Sequence, residues 1–156
     1  MRLDIPEHKI LVHEVRLPIL WGDMDSLGHV NNTIYFRYIE QARVSWIAAI
    51  SGGQVGNEDE GPVIANTFCN FYRELVFPGD LLVKLYVASP GRTSIDTYAS
   101  IERADDPGVS YAAGGATLVW VSAKDGRPLP LPAAMRALVG KPPALPGMDT
   151  PPALPG

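Results

Sequence analysis

Between residues 9 and 21 apolar positions recur every second residue: Val15, Leu17, Ile19 and Trp21 alternate with Glu14, Arg16 and Pro18. A period of two puts these sets on opposite faces of a strand. Pro18 has no N–H to give to a ladder, which predicts an edge or a bulge there. From Thr33 to Ile50 the pattern turns helical. The apolar set (Ile34, Tyr35, Phe36, Tyr38, Ile39, Ala42, Trp46, Ile47, Ile50) covers more than one stripe. Such a helix is expected to be buried on most sides, with Arg37, Glu40, Gln41 and Arg43 on the wetter side. Asn31 or Asn32 can cap its start, and Ser51-Gly52-Gly53 stops it.

The rest reads as strands. Residues 63–77 alternate Val63, Ala65, Thr67, Cys69 and Phe71, then Leu75 and Phe77 after Arg73, before a turn at Pro78-Gly79-Asp80. Leu81, Val83, Leu85 and Val87 form the next inward set. Ile95, Thr97, Ala99 and Ile101 form another, with Pro90-Gly91 between them. Residues 109–123 are apolar on both faces and rich in small side chains, as in a central strand approached closely by something. A short last helix is expected over 132–139. Short turns imply antiparallel neighbours, and a helix that is apolar nearly all round needs a sheet that curves about it. The expected fold is therefore α+β: an antiparallel five-stranded sheet wrapped around one long central helix, spanning residues 1–140.

Residues 141–156 differ. Pro-Pro-Ala-Leu-Pro-Gly stands at 142–147 and again at 151–156. This composition favours extended, solvated chain, so a disordered tail is expected, with a ligand for a Pro-binding domain as the alternative.

Composition narrows the function classes. The 156 residues carry a formal net charge of -4, which lacks the basic footprint of nucleic-acid binding. The single cysteine, Cys69, excludes an intrachain disulfide and a Cys-based zinc site, and its apolar run marks it as a core side chain rather than a nucleophile. His8, His13 and His29 lack metal-site spacing, so neither a metal nor a cofactor is expected. The N-terminus shows no hydrophobic signal region and no run of about 18 apolar residues occurs, so a cytoplasmic protein without a membrane span is expected.

Nucleophile-elbow, Walker and dinucleotide-binding patterns are all missing. Chemistry is left to the strand–loop–helix junction at 21–33. Asp23 and Asp25 put carboxylates just before a helix. Gly28 lets the backbone bend and come close to a ligand, and the helix start offers unpaired N–H groups to an oxyanion. A carboxylate beside such donors suits acyl transfer to water. The same Asp, Asn and Gly residues also serve as ordinary turn and helix caps, and the local pattern leaves both readings open.

The stretch Trp21-Gly22-Asp23-Met24-Asp25-Ser26-Leu27-Gly28-His29-Val30-Asn31-Asn32, followed by Tyr35, Tyr38, Glu40, Ala42 and Arg43, closely resembles the signature of 4-hydroxybenzoyl-CoA thioesterase-like hotdog proteins. Strand order and turn positions extend the likeness over residues 9–139. The resemblance implies an acyl-CoA thioesterase that releases the free acid and CoA. Asp25 is then the catalytic carboxylate, as nucleophile or general base, with Asp23 in support. A backbone N–H near Asn32 polarises the thioester carbonyl. His29 either orders the loop or substrate or is a structural histidine. Coenzyme A is implied near the start of the fourth strand, at Arg92 and Ser94, with Gly28 at the substrate. The family's basic cluster is reduced here to Arg92 alone, for which a solvated charge is the other reading. Glu40 is a second carboxylate to weigh against Asp25. A homo-oligomer, a dimer or dimer of dimers with sites at subunit junctions, is also implied. The alternatives are a hotdog enoyl-thioester hydratase and a non-catalytic acyl-CoA-binding module.

Overall fold

The computed structural model describes residues 3–139. Its elements are β1 (Ile10–Pro18), α1 (Asn32–Ile50), β2 (Glu60–Phe71), β3 (Asp80–Ala88), β4 (Ser94–Arg103), β5 (Ser110–Ser122) and a short α2 (Ala133–Val139). The strands form one antiparallel sheet in the order β1-β3-β4-β5-β2, and α1 packs against β1, β2, β3 and β4. The expected α+β arrangement of five strands and one long helix is present. The repeated Pro-Pro-Ala-Leu-Pro-Gly segment and the tail reading lie outside the described residues.

Period-two alternation decides the helix-facing surface. Leu81, Val83, Leu85 and Val87 on β3 are fully buried, and so are Ala99 and Ile101 on β4. They meet Tyr35, Tyr38, Ile39, Ala42, Trp46 and Ile47 of α1 in one core. The small residues of β5 let the layers close up. A Cβ on Gly114 would run into the Phe68 carbonyl oxygen of the neighbouring strand β2 and stand 3.2 Å from Ile39 Cδ1 of the helix. The other face holds a smaller cluster of Tyr86 and Ala113 with Ile5, Leu11, Tyr72 and Tyr98. The N-terminal segment lies there, tied by Asn70 Nδ2 donating to the Leu3 carbonyl at 2.8 Å.

Four expectations need correction. The first strand ends at Pro18, and Trp21 opens a 3-10 turn with 73% of its surface exposed, so it does not continue the inward set. Strand β2 stops at Phe71, and residues 72–79 cross to β3, which is not its neighbour: β2 pairs with β5 at the sheet edge. An edge strand with a register shift between Ile64 and Asn66 covers its alternate residues poorly, so Val63 and Phe71 are exposed. Helix α1 buries one broad face rather than most of its circumference. Arg43, finally, is buried instead of wet.

Candidate active site

Residues 19–31 are shaped by backbone demands that the first strand leaves behind. Ile19 N–H bonds the Gly79 carbonyl and ends the β1 register, after which the chain turns at Trp21–Asp23. Asp23 is almost fully buried and organises the turn. Its carboxylate accepts hydrogen bonds from the Leu20 N–H (2.9 Å), the Tyr38 hydroxyl (2.7 Å) and the Arg37 guanidinium. Burial alone would raise its pKa. The Leu20, Tyr38 and Arg37 hydrogen bonds outweigh that and hold it below the usual carboxylate range. For Tyr38, burial and then the Asp23 bond push the phenol well up, keeping it a donor.

Asp25 begins a tight excursion closed by its own N–H to the His29 carbonyl at 2.9 Å and by Gly28 N–H to the Asp25 carbonyl at 3.1 Å. Gly28 takes φ +83°, where a side chain would be strained, yet a Cβ there would meet nothing within 4 Å. The glycine is needed for the turn. It is exposed and does not line the cleft, so close approach of a ligand is not its evident task. One Asp25 oxygen accepts the Leu27 N–H at 2.9 Å, while the other has only a long contact, 3.4 Å, to Asn31 Nδ2. That second oxygen is the freer of the two.

Helix α1 starts directly after this loop. Asn31 caps it by accepting the Thr33 N–H at 3.0 Å. The Asn32 N–H donates no hydrogen bond to the described residues, as expected of a first-turn donor. Asp25 and Asn32 both line an open cleft of about 340 Å³, walled also by Leu27, His29, Val30 and Tyr35.

The remaining wall comes from the β2–β3 connection, at Phe71, Tyr72, Arg73 and Glu74. The connection is pinned at Leu75, which is fully buried. Its carbonyl accepts the Val30 N–H at 2.8 Å and its N–H donates to the Tyr35 hydroxyl at 3.3 Å. Phe71 stacks edge-on against Tyr35 with ring centroids 5.0 Å apart. Glu74 reaches His29, with Oε2 2.9 Å from Nε2. Glu74, Arg73 and Phe71 carry no motif in the sequence. The available signal was the break in alternation at Arg73, where a strand gives way to a connection.

Other expected residues fall elsewhere. Arg92 and Ser94 sit by the β3–β4 turn. Ser94 pairs with Val119, whereas the cleft residue Phe71 pairs with Ala112, seven residues away along β5. At ~3.3 Å per residue their partners on β5 stand about 23 Å apart along that strand, so Arg92 and Ser94 do not line the cleft. Glu40 is exposed two helical turns beyond Asn32 and outside the cleft. Cys69 is half-buried, and burial pushes its thiol up to about 12, which removes it as a nucleophile. No group of three or more His, Cys, Asp or Glu among the described residues is placed to hold a metal. No described helix is long and apolar enough to cross a membrane.

This architecture is shared with solved structures. A candidate thioesterase from Pseudomonas aeruginosa is 38% identical, covering 81% of this chain and 97% of its own, with a TM-score of 0.77. A candidate acyl-CoA thioesterase from Xanthomonas campestris is 36% identical over 78% of this chain and 99% of its own, at a TM-score of 0.69. A thioesterase from Thermus thermophilus, solved with coenzyme A and zinc, is 29% identical over 82% of this chain and 97% of its own, at a TM-score of 0.68. No curated protein sequence matches the chain. The thioesterase-like superfamily profile matches residues 19–139, the span from the end of β1 through α2, and the chain belongs to that superfamily.

Proposed function

We propose that this protein is an acyl-CoA thioesterase, hydrolysing an acyl-coenzyme A thioester to the free acid and CoA with Asp25 as the reacting carboxylate. One observation carries the reading of the site. Asp25, with one loosely held oxygen, shares a cleft with the Asn32 N–H, which donates to no other described residue, at the positive end of α1. A thioester carbonyl between them would have a carboxylate on its carbon and a donor on its oxygen, the two features acyl transfer needs. Asp23 supports this by locking the loop to α1. The superfamily match and the thioesterase neighbours support the same chemistry. The closer kinship to 4-hydroxybenzoyl-CoA thioesterases rests on the loop signature at 21–32.

The reading extends to assembly and location. Strand β2 is a 12-residue edge strand with Val63, Ile64 and Phe71 exposed, a surface that pairing with a second copy would cover. A homo-oligomer could also offer Arg92 and Ser94 to a neighbour's cleft, where the nucleotide end of a bound CoA would meet them. A cytoplasmic location fits the CoA substrate. Thiol release measured across short, medium, long and aromatic acyl-CoAs tests the activity. Turnover of at least one class is expected, and turnover of none would overturn the proposal.

A further inference from the structure

We propose that Glu74 is a positioning residue for this hydrolysis: it holds His29 as the Nε2–H tautomer, leaving Nδ1 to accept the proton of the hydrolytic water. The inference rests on the assignment of Asp25 above and selects which of its two roles the site is built for.

The geometry carries it. A carboxylate is acceptor-only, so a His29 nitrogen 2.9 Å from the Glu74 oxygen must bear the proton. The other nitrogen, Nδ1, makes no hydrogen bond among the described residues, and His29 lines the cleft that holds Asp25. The pair is preorganised from both sides. His29 is fixed by its carbonyl's bond to Asp25 N–H, while Glu74 precedes Leu75, whose N–H and carbonyl are both anchored. Stability is a poor reason for the contact. The side chains are 36% and 70% exposed, and polar contacts so open to solvent contribute little. An oriented imidazole in the cleft is the feature left to explain.

A separate base for the water is needed when Asp25 is the nucleophile, because its attacking oxygen is then held in the anhydride. The Asp25 oxygen then bonds to the thioester carbon, the C–S bond breaks with its electron pair on sulfur, and CoA leaves as thiolate. An acyl–aspartyl anhydride remains. Water adds to the acyl carbonyl and gives a proton to His29 Nδ1. The bond from that carbon to the Asp25 oxygen breaks, releasing the acid and restoring the Asp25 carboxylate. His29 returns its proton to the thiolate or to solvent. No other reactant is required.

The test is rapid-mixing measurement of CoA release from any acyl-CoA that the wild type turns over. His29→Ala and Glu74→Ala are expected to keep a fast first release of about one CoA per site. Each should then turn over at least ~10-fold more slowly, and the double variant should be no slower than His29→Ala alone. Loss of the first release, wild-type turnover in either single variant, or additive losses would overturn the proposal. Imidazole ¹⁵N shifts read the pair without substrate. Wild type should show a fixed Nε2–H form that becomes a tautomer mixture in Glu74→Ala, and an unchanged pattern would also overturn it. Absence of thioester turnover by the wild type would instead strike the assignment of Asp25.

Discussion

The Tyr38 hydroxyl donates to the Asp23 carboxylate at 2.7 Å, joining the loop before α1 to the second turn of the helix itself. The contact is buried and local charge supports it from the Arg37 side. Since Asn31 N–H also bonds the Asp23 carbonyl at 2.9 Å, Asp23 holds both strands of the Asp25 loop. The position of Asp25 therefore depends on a neighbour that does not itself line the cleft.

Removing that anchor should cost stability before chemistry. Tyr38→Phe keeps the ring in the core but deletes a hydrogen bond to a charged, buried group, a loss of about 1.5–3 kcal/mol. Urea unfolding should show a lower midpoint with an unchanged slope. A midpoint equal to wild type would mean that the hydroxyl is not tied to Asp23.

The same anchor predicts an acid limb in the stability curve. The folded pKa of Asp23 lies below that of the unfolded chain, near the ordinary ~3.9 for Asp. Its contribution is thus fully present above that value and is lost as pH falls through the lower, folded one. Asp23→Asn should therefore be less stable than wild type at pH 7 and should lose less on acidification below about pH 4. Parallel stability curves for the two proteins down to pH 2 would contradict this.

How much of this was legible in the chain depends on which physical signal each feature left. Strands β3 and β4 are readable because the alternate apolar sets Leu81 to Val87 and Ile95 to Ile101 are all buried, even though Tyr86 and Ser100 on the opposite face are buried as well. Helix α1 was readable from its period, and its cap from Asn31. The crossing from β2 was hidden because Leu75, though in a connection, is as buried as any strand residue, and so it extended the alternation falsely. The burial of Arg43 is not legible in the sequence, because a charged residue at a helix edge leaves no trace of it there. Within the site, Asp25, His29 and Asn32 lie in one short segment and share a signature. Glu74 lies 45 residues from His29 and has no motif, so only the fold could bring it in.

Close packing of β5 gives a further expectation. Gly114→Ala places a Cβ against the Phe68 carbonyl oxygen, a backbone atom that cannot swing away, as well as against Ile39. Overpacking of this kind costs about 1–3 kcal/mol. Gly22→Ala, where a Cβ meets nothing within 4 Å, should stay within about 0.5 kcal/mol of wild type. Equal unfolding midpoints for the two variants would mean that β5 is less tightly apposed to β2 and to the helix than the structure has it.

The exposed β2 edge makes the oligomer testable at single residues. Ile64 is 38% exposed on a strand whose outer edge pairs with no other described strand, so Ile64→Lys should leave the subunit folded while opposing any pairing through that strand. Light scattering at micromolar concentration is expected to find an oligomer for wild type and a shift toward monomer for the variant. A wild-type monomer would end the assembly proposal, and an undisturbed oligomer in Ile64→Lys would move the interface to another surface.

The most direct prediction concerns Asp25. Asn matches Asp in shape and is about as good at accepting the Leu27 N–H, so the turn should survive the exchange. What disappears is the negative charge and the nucleophilic or basic oxygen. Asp25→Asn should consequently melt within a few degrees of wild type while its kcat for acyl-CoA hydrolysis falls at least ~10²-fold, the scale of a lost general base or more. KM should change far less, because the cleft keeps its walls. Glu40→Gln, a charge loss of the same size on α1 outside the cleft, should cost much less in kcat. An Asp25→Asn protein with full turnover would falsify the assignment, since no property of a turn-forming residue alone separates Asp from Asn at this position.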